Sequence, residues 1–267
     1  MTERALVPAE LSPEHLLELR NAKELLENPH FAMQAVSFLG VPIEQGINHL
    51  PSNWRDKILT ISHTALEKAA QVALWSVDPS GSRSASEWLH KLAVTSAGAA
   101  GGAFGVSALA LELPLSTTVM LRSIADIARA EGEDLRAADA KVACLAVFAL
   151  GGRTTSDDAS ESAYYIARVS LANAVSEAAH HLVSKHAIKG SAPPLLNLIQ
   201  RIAGRFSIQV SEKAAAQAIP IIGAAGGAIL NWLFISHYQQ MAKGHFTIRR
   251  LERLYPSQLV EASYRAL

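Results

Sequence analysis

The chain has 267 residues, 49% of them hydrophobic and 18% charged, and its 24 Lys and Arg match 24 Asp and Glu for a formal net charge of +0. That length and apolar content support a large buried core and exclude a disordered chain. A nucleic-acid partner would call for a basic excess, so none is expected. The single cysteine, Cys144, leaves no disulfide framework and fits a reducing compartment. No apolar run opens the sequence, so no N-terminal secretion signal is expected and the expected location is cytoplasmic.

In chain order, Ser12-Pro13-Glu14 reads as a capping serine before proline at the first helical position, with Leu16, Leu17, Leu19, Leu25 and Leu26 continuing an amphipathic helix to Asn28-Pro29. Gly40-Val41-Pro42 is a turn. Ser52 or Asn53 can cap a helix that runs to about Trp75, with Ile58, Ile61, Ala65, Leu66 and Ala69 at helical spacing. Residues 78–86, beginning DPSGSRS, form the clearest linker. The sequence therefore divides into an N-terminal helical region (1–77) that packs on a core, the linker, and a helical core (87–267).

The core opens with a glycine-rich uncharged run, residues 92–111. Gly98 with Gly102, and Gly101 with Gly105, are four apart and let another backbone approach closely. No G-x-G-x-x-G spacing and no P-loop pattern is present, so the run signals packing and not a phosphate cradle. Glu112-Leu113-Pro114 reads as a helix break. After it, Arg122, Asp126 and Arg129 make one charged line opposite Leu121, Ile124 and Ala128. Asp134 is placed to cap the next helix, in which Cys144 reads as a buried small hydrophobe, and Gly151-Gly152 closes it. The pattern Tyr164, Ala167, Leu171, Ala174, Ala178, Leu182 predicts one long helix over about 158–189, roughly 45 Å at 1.5 Å per residue. After Ser191-Ala-Pro-Pro comes the stretch 212–255, uncharged between Lys213 and His237 and then polar and basic. No strand-like alternation persists, so the predicted fold is an all-α helical bundle with two central Ala/Gly-rich apolar helices.

Several blocks carry a resemblance. The glycine-rich run into Glu112-Leu113-Pro114, then Leu121-Arg122, Gly132-Glu133-Asp134 and the segment 147–152, resemble the EcsC family of bacterial proteins. So do Ile219-Pro220, Gly223, Gly226-Gly227, Asn231, Phe234-Ile235, His237, Ala242, His245-Phe246 and Arg250-Leu251-Glu252-Arg253. The resemblance implies an association with an ABC transport or secretion system. It brings no agreed activity and no catalytic residues.

Weighed as chemistry, the sequence lacks H-E-x-x-H, G-x-S-x-G, C-x-x-C and Walker patterns. Glu87 with His90, and Glu177 with His180, form two Glu-x-x-His pairs of the kind that build di-metal bundles, a low-ranking alternative. No cofactor is expected. The candidate polar site gathers Glu112, Arg122, Asp126, Asn231, His237 and His245 around the helix breaks, with Glu112 facing Arg122; Gly244 is a further candidate break between the two histidines. Lys243, Arg249, Arg250 and Arg253 form a candidate basic patch toward anionic headgroups. Both apolar runs reach the length of a membrane span, but Gln217, Pro220 and Asn231 weaken the second. The favoured reading is a non-enzymatic, membrane-proximal accessory or lipid-binding protein, peripheral on the inner membrane face, with lipid or a membrane protein as partner. The alternatives are integral insertion, and a peptidase-like hydrolase or metal-dependent enzyme.

Overall fold

In the computed structural model the described residues are 10–27, 35–37, 40, 44–48, 50, 52–76, 105–150, 163–184, 193–219 and 223–267. The protein is an all-α helical bundle, and every regular element among these residues is a helix. They are α1 (Pro13–Glu27), α2 (Glu44–Ile47), α3 (Trp54–Ser76), α4 (Gly105–Ala130), α5 (Ala138–Ala146) with a 3-10 turn at Val147–Ala149, α6 (Ala163–Ser184), α7 (Pro193–Gln217), α8 (Gly223–Leu254) and α9 (Ser257–Ala266). The predicted linker 78–86, the glycines Gly98, Gly101 and Gly102, Gly151-Gly152, and Glu87 with His90 lie outside the described residues.

The N-terminal cap forms as the sequence predicts. Ser12 accepts from the His15 amide through its hydroxyl and from the Leu16 amide through its carbonyl. The break expected at 112–114 does not form, because α4 runs unbroken through Pro114. A helical proline removes one donor and crowds the preceding turn, at about 3 kcal/mol. Burial on both sides outweighs that strain: Leu109, Leu113, Leu121, Ile124 and Ala128 all face the core. Asp134 does not cap α5 either. Its carboxylate accepts from the Arg136 amide two residues on, making an Asx-type turn, and the N-cap position falls to Ala137, which has no side-chain cap. Of the long helix predicted over 158–189, α6 covers 163–184, with Tyr164, Ala167, Leu171, Ala174 and Ala178 buried as the spacing requires.

The stretch 212–255 divides between two helices. α7 ends at Gln217, Ala218 and Ile219 turn the chain, and α8 begins at Gly223. α8 is 32 residues long, about 48 Å at the standard rise, and is the axis of the bundle. It packs on α1, α4, α7 and α9. Gln239 donates to Ser123 and Arg249 to Glu133, so α4 and α8 run parallel. Phe148, Phe206, Phe234 and Tyr238 interlock at the centre, their ring centroids 5.0 to 6.1 Å apart. Cys144 is fully buried beside this core, and burial pushes its thiol up to about 12. Among the described residues no helix is long and apolar enough to cross a membrane.

Gly244 does not interrupt α8; it seats α1. A Cβ there would lie 2.7 Å from the Leu26 Cγ and 3.0 Å from the Ala22 carbonyl oxygen. Gly244→Leu is therefore expected to cost about 2–3 kcal/mol by overpacking. A fall in the urea midpoint checks this, whereas an unchanged midpoint would mean that α1 does not sit there.

Candidate functional site

The six residues of the predicted polar site do not gather. Asn231 and His245 both lie on α8, 14 residues apart by number, so about 21 Å of helix separates them. Glu112 does not meet Arg122 either. Its partner is Lys213 of α7, whose ammonium donates to the carboxylate at 2.6 Å, is 0% exposed, and lies 4.9 Å from the Phe234 ring centroid. The reasoning that a carboxylate buried there needs a cation holds, but the cation comes from another helix. Arg129 pairs with Asp126 at 3.1 Å along α4. Burial raises the Asp126 carboxyl against the attraction of Arg129 and Arg122. Asn231 is buried with its Oδ1 lacking a hydrogen-bond partner among the described residues, and the buried His237 ring stands edge-on to Tyr238.

The basic patch is a lattice of ion pairs. Arg249 donates to both oxygens of Glu133 at 2.8 and 3.0 Å, Arg250 to Glu131 and Glu18 at 2.8 and 2.9 Å, and Arg253 to Glu133. Lys243 is exposed. The acids come from α1 and from the turn after α4, where Gly132 takes φ 83°. Sequence proximity along α8 could not show that pairing. Burial alone would raise the Glu133 carboxyl, but the hydrogen bonds and charges of Arg249 and Arg253 outweigh it and hold the group below its ordinary value.

At the C-terminal part of α8 the structure opens a cleft of about 590 Å³ between α5, α6 and α8. Its walls are apolar: Ala143, Ala146, Leu150, Leu171, Val175 and Ala179, with Ala172 and the exposed Val183 also lining it. Its polar groups are Asp139, Arg168, Ser176, His180, His245 and Arg249. Of these only His180, His245 and Arg249 belong to sequence-predicted sets. Glu177, the other half of the second Glu-x-x-His pair, is exposed, and no group of three metal-ligating side chains occurs among the described residues.

The polar end is ordered by α6. Arg168 donates to both oxygens of Glu252 at 2.8 and 2.9 Å and to the Tyr164 hydroxyl at 3.2 Å. Tyr164 and Arg168 are one helical turn apart, which lets one guanidinium orient the phenol below it. Burial raises the Tyr164 phenol well above its ordinary value, so it keeps its proton. Its oxygen lies 2.9 Å from Nδ1 of His245. Arginine can only donate, so the phenol oxygen accepts from Arg168, and its own proton has Nδ1 as an acceptor in reach at 2.9 Å. With the phenol donating to Nδ1, the ring proton of His245 sits on Nε2. Burial first, then the charges of Arg168 and Arg249, push the imidazole well below its usual range, so it is neutral. His245 is 5% exposed, and its Nε2 has no hydrogen-bond partner among the described residues. Sequence reasoning took Tyr164 as core and passed over Arg168; a lone arginine one turn after a tyrosine, in a helix otherwise poor in charge, was the available signal.

The EcsC protein family model matches residues 41–251, most of the chain. No curated protein and no solved structure matches it. With the match running from before α2 almost to the end of α8, the chain belongs to the EcsC family.

Proposed function

We propose that the protein binds lipid-like amphiphiles in the cleft between α5, α6 and α8, as a non-enzymatic accessory protein working close to a membrane. The observation that carries this reading is the composition of the cleft: apolar walls of Ala, Leu and Val with a polar end of Arg168, His245 and Arg249. Its volume of about 590 Å³ falls in the range of small-molecule sites. An acyl chain would bury against the walls, at about 0.8 kcal/mol per methylene removed from water. A polar headgroup would meet donors at the far end, since Arg168 and Arg249 each carry more N–H groups than their carboxylate partners use. The resemblance of the chain to a family tied to ABC transport or secretion extends the reading to peripheral work at the inner membrane face.

Ala172 lies on the cleft wall and is exposed, so a phenylalanine there fills the cleft without entering the core. Titration of the full chain with dodecanoate, followed by calorimetry, is expected to show saturable binding that Ala172→Phe weakens about tenfold or more. No binding to wild type, or equal binding by both proteins, would overturn the cleft as the lipid site. Flotation with phosphatidylcholine vesicles, with and without phosphatidylglycerol, tests the membrane-proximal part: remaining at the bottom of the gradient in both would defeat it.

A further inference from the structure

Helix α5 enters the cleft by its N-terminus. Ala137, Ala138 and Asp139 are cleft residues, and Ala137 stands at the N-cap with φ −71° and ψ 139° and no side-chain cap. The first amides of a helix have no partner within the helix, and the helix dipole makes that end attractive to negative charge. Most helices satisfy these donors with Ser, Thr, Asp or Asn at the N-cap, and an alanine there leaves them to something else. Beside this end Arg249 sits with a guanidinium nitrogen 3.6 Å from the Asp139 carboxylate. The same cleft is lined by His245, nine-tenths buried and more, with the unpartnered Nε2. An orphaned ring nitrogen and an uncapped helix end are independent features, and both call for an acceptor.

We propose that the N-terminal amides of α5, with Arg249 and the His245 Nε2–H, form a subsite for an oxyanion, the phosphate or carboxylate group of the cleft's ligand. Backbone amides at a helix start are a recurring phosphate cradle, and Arg249 and the Nε2–H add two further donors. His245 serves as a neutral donor, because the Tyr164 hydroxyl holds its other nitrogen. Asp139 is the one opposing charge. It is 65% exposed and lies in the first turn, where it partly occupies the dipole that the ligand would use. The subsite rests on the reading of the cleft as a lipid site, and it adds a headgroup class to that reading.

The test compares dodecyl phosphate with dodecyl glucoside, both below micelle formation, on the full chain. Wild type is expected to prefer the phosphate by about tenfold or more. Failure of both amphiphiles to bind would remove the lipid site itself; binding of both with equal affinity would overturn only the oxyanion subsite. Ala137→Asp places a capping carboxylate on the α5 amides. It is expected to raise the melting temperature by about 2–4 °C while bringing the phosphate preference down to about unity. Retention of the preference in that variant would overturn the proposal. Asp139→Asn supplies an independent arm: removing the opposing charge is expected to tighten dodecyl phosphate about two- to fivefold, and no gain counts against the subsite. Inorganic phosphate is the last probe. Competition with dodecyl phosphate at millimolar concentration would assign the subsite to free phosphate as well, and absence of competition assigns it to a headgroup carried by a chain.

Discussion

Replacing Lys213 with alanine is expected to lower the unfolding free energy by about 3–5 kcal/mol, because it leaves a largely buried carboxylate without its partner. The lysine is completely buried, its ammonium is 2.6 Å from Glu112, and the Phe234 ring covers it at 4.9 Å. Removal therefore discards an ion pair and a desolvated cation–π contact, and the truncation leaves a cavity between α4, α7 and α8. The double variant Lys213→Met with Glu112→Leu replaces both charges with apolar side chains of similar reach, and it is expected to recover most of the loss. Urea denaturation of wild type, single and double variants measures this. A single-variant loss below about 1 kcal/mol, the size of an exposed pair, would mean that the pair is open to water.

Glu133→Gln is the second large effect. The carboxylate accepts from Arg249 and Arg253 and is nearly buried. Amidation removes the charge from both contacts and is expected to cost about 2–3 kcal/mol at neutral pH, since hydrogen bonds to charged groups are worth about 1.5–3 kcal/mol. The pH dependence has a definite sign. Glu133 is held below its ordinary value in the folded chain, so its contribution is complete above the unfolded value, near 4.5, and is lost as the pH falls through the lower folded value. Melting temperatures of wild type and Glu133→Gln should differ most at neutral pH and converge in acid. A gap that stays constant from neutral to acid pH would assign the effect to packing alone.

The sequence disclosed the helices and hid the partners. Helical spacing in 164–178 and 121–128 marked the buried faces correctly, because a core stripe is a local, periodic property. The break assigned to Pro114 failed because a local cost of a few kcal/mol yields to burial spread along a whole helix, and the cap assigned to Asp134 failed because its carboxylate is taken up by the Arg136 amide in a turn ahead of α5. Pairings across the fold were out of reach. Lys213 and Glu112 are 101 positions apart, and Arg249 and Glu133 are 116 apart. Each was visible as a charge beside an apolar run, but nothing local named its mate. The polar floor of the cleft was half legible. His245 and Arg249 were singled out along α8, while Arg168 and Tyr164 come from α6, where the same periodicity that revealed the core concealed a polar turn.

The seat of α1 on α8 separates two boundaries that are easily taken for one. The family match begins at residue 41, after α1 has ended, and stops at 251, before α9 starts. Yet α1 fills the notch at Gly244, Glu18 neutralises Arg250 at 2.9 Å, His15 bonds to Tyr255, and Lys23 donates to the Tyr264 carbonyl. Gly244 immediately precedes His245 on the cleft floor. A chain trimmed to the matched residues would thus expose an apolar trench along its axial helix, one residue from the cleft, and Arg250 would keep Glu131 but lose Glu18, one of its two carboxylate partners. Kinship marks the matched segment, while the packed unit extends past both ends of it.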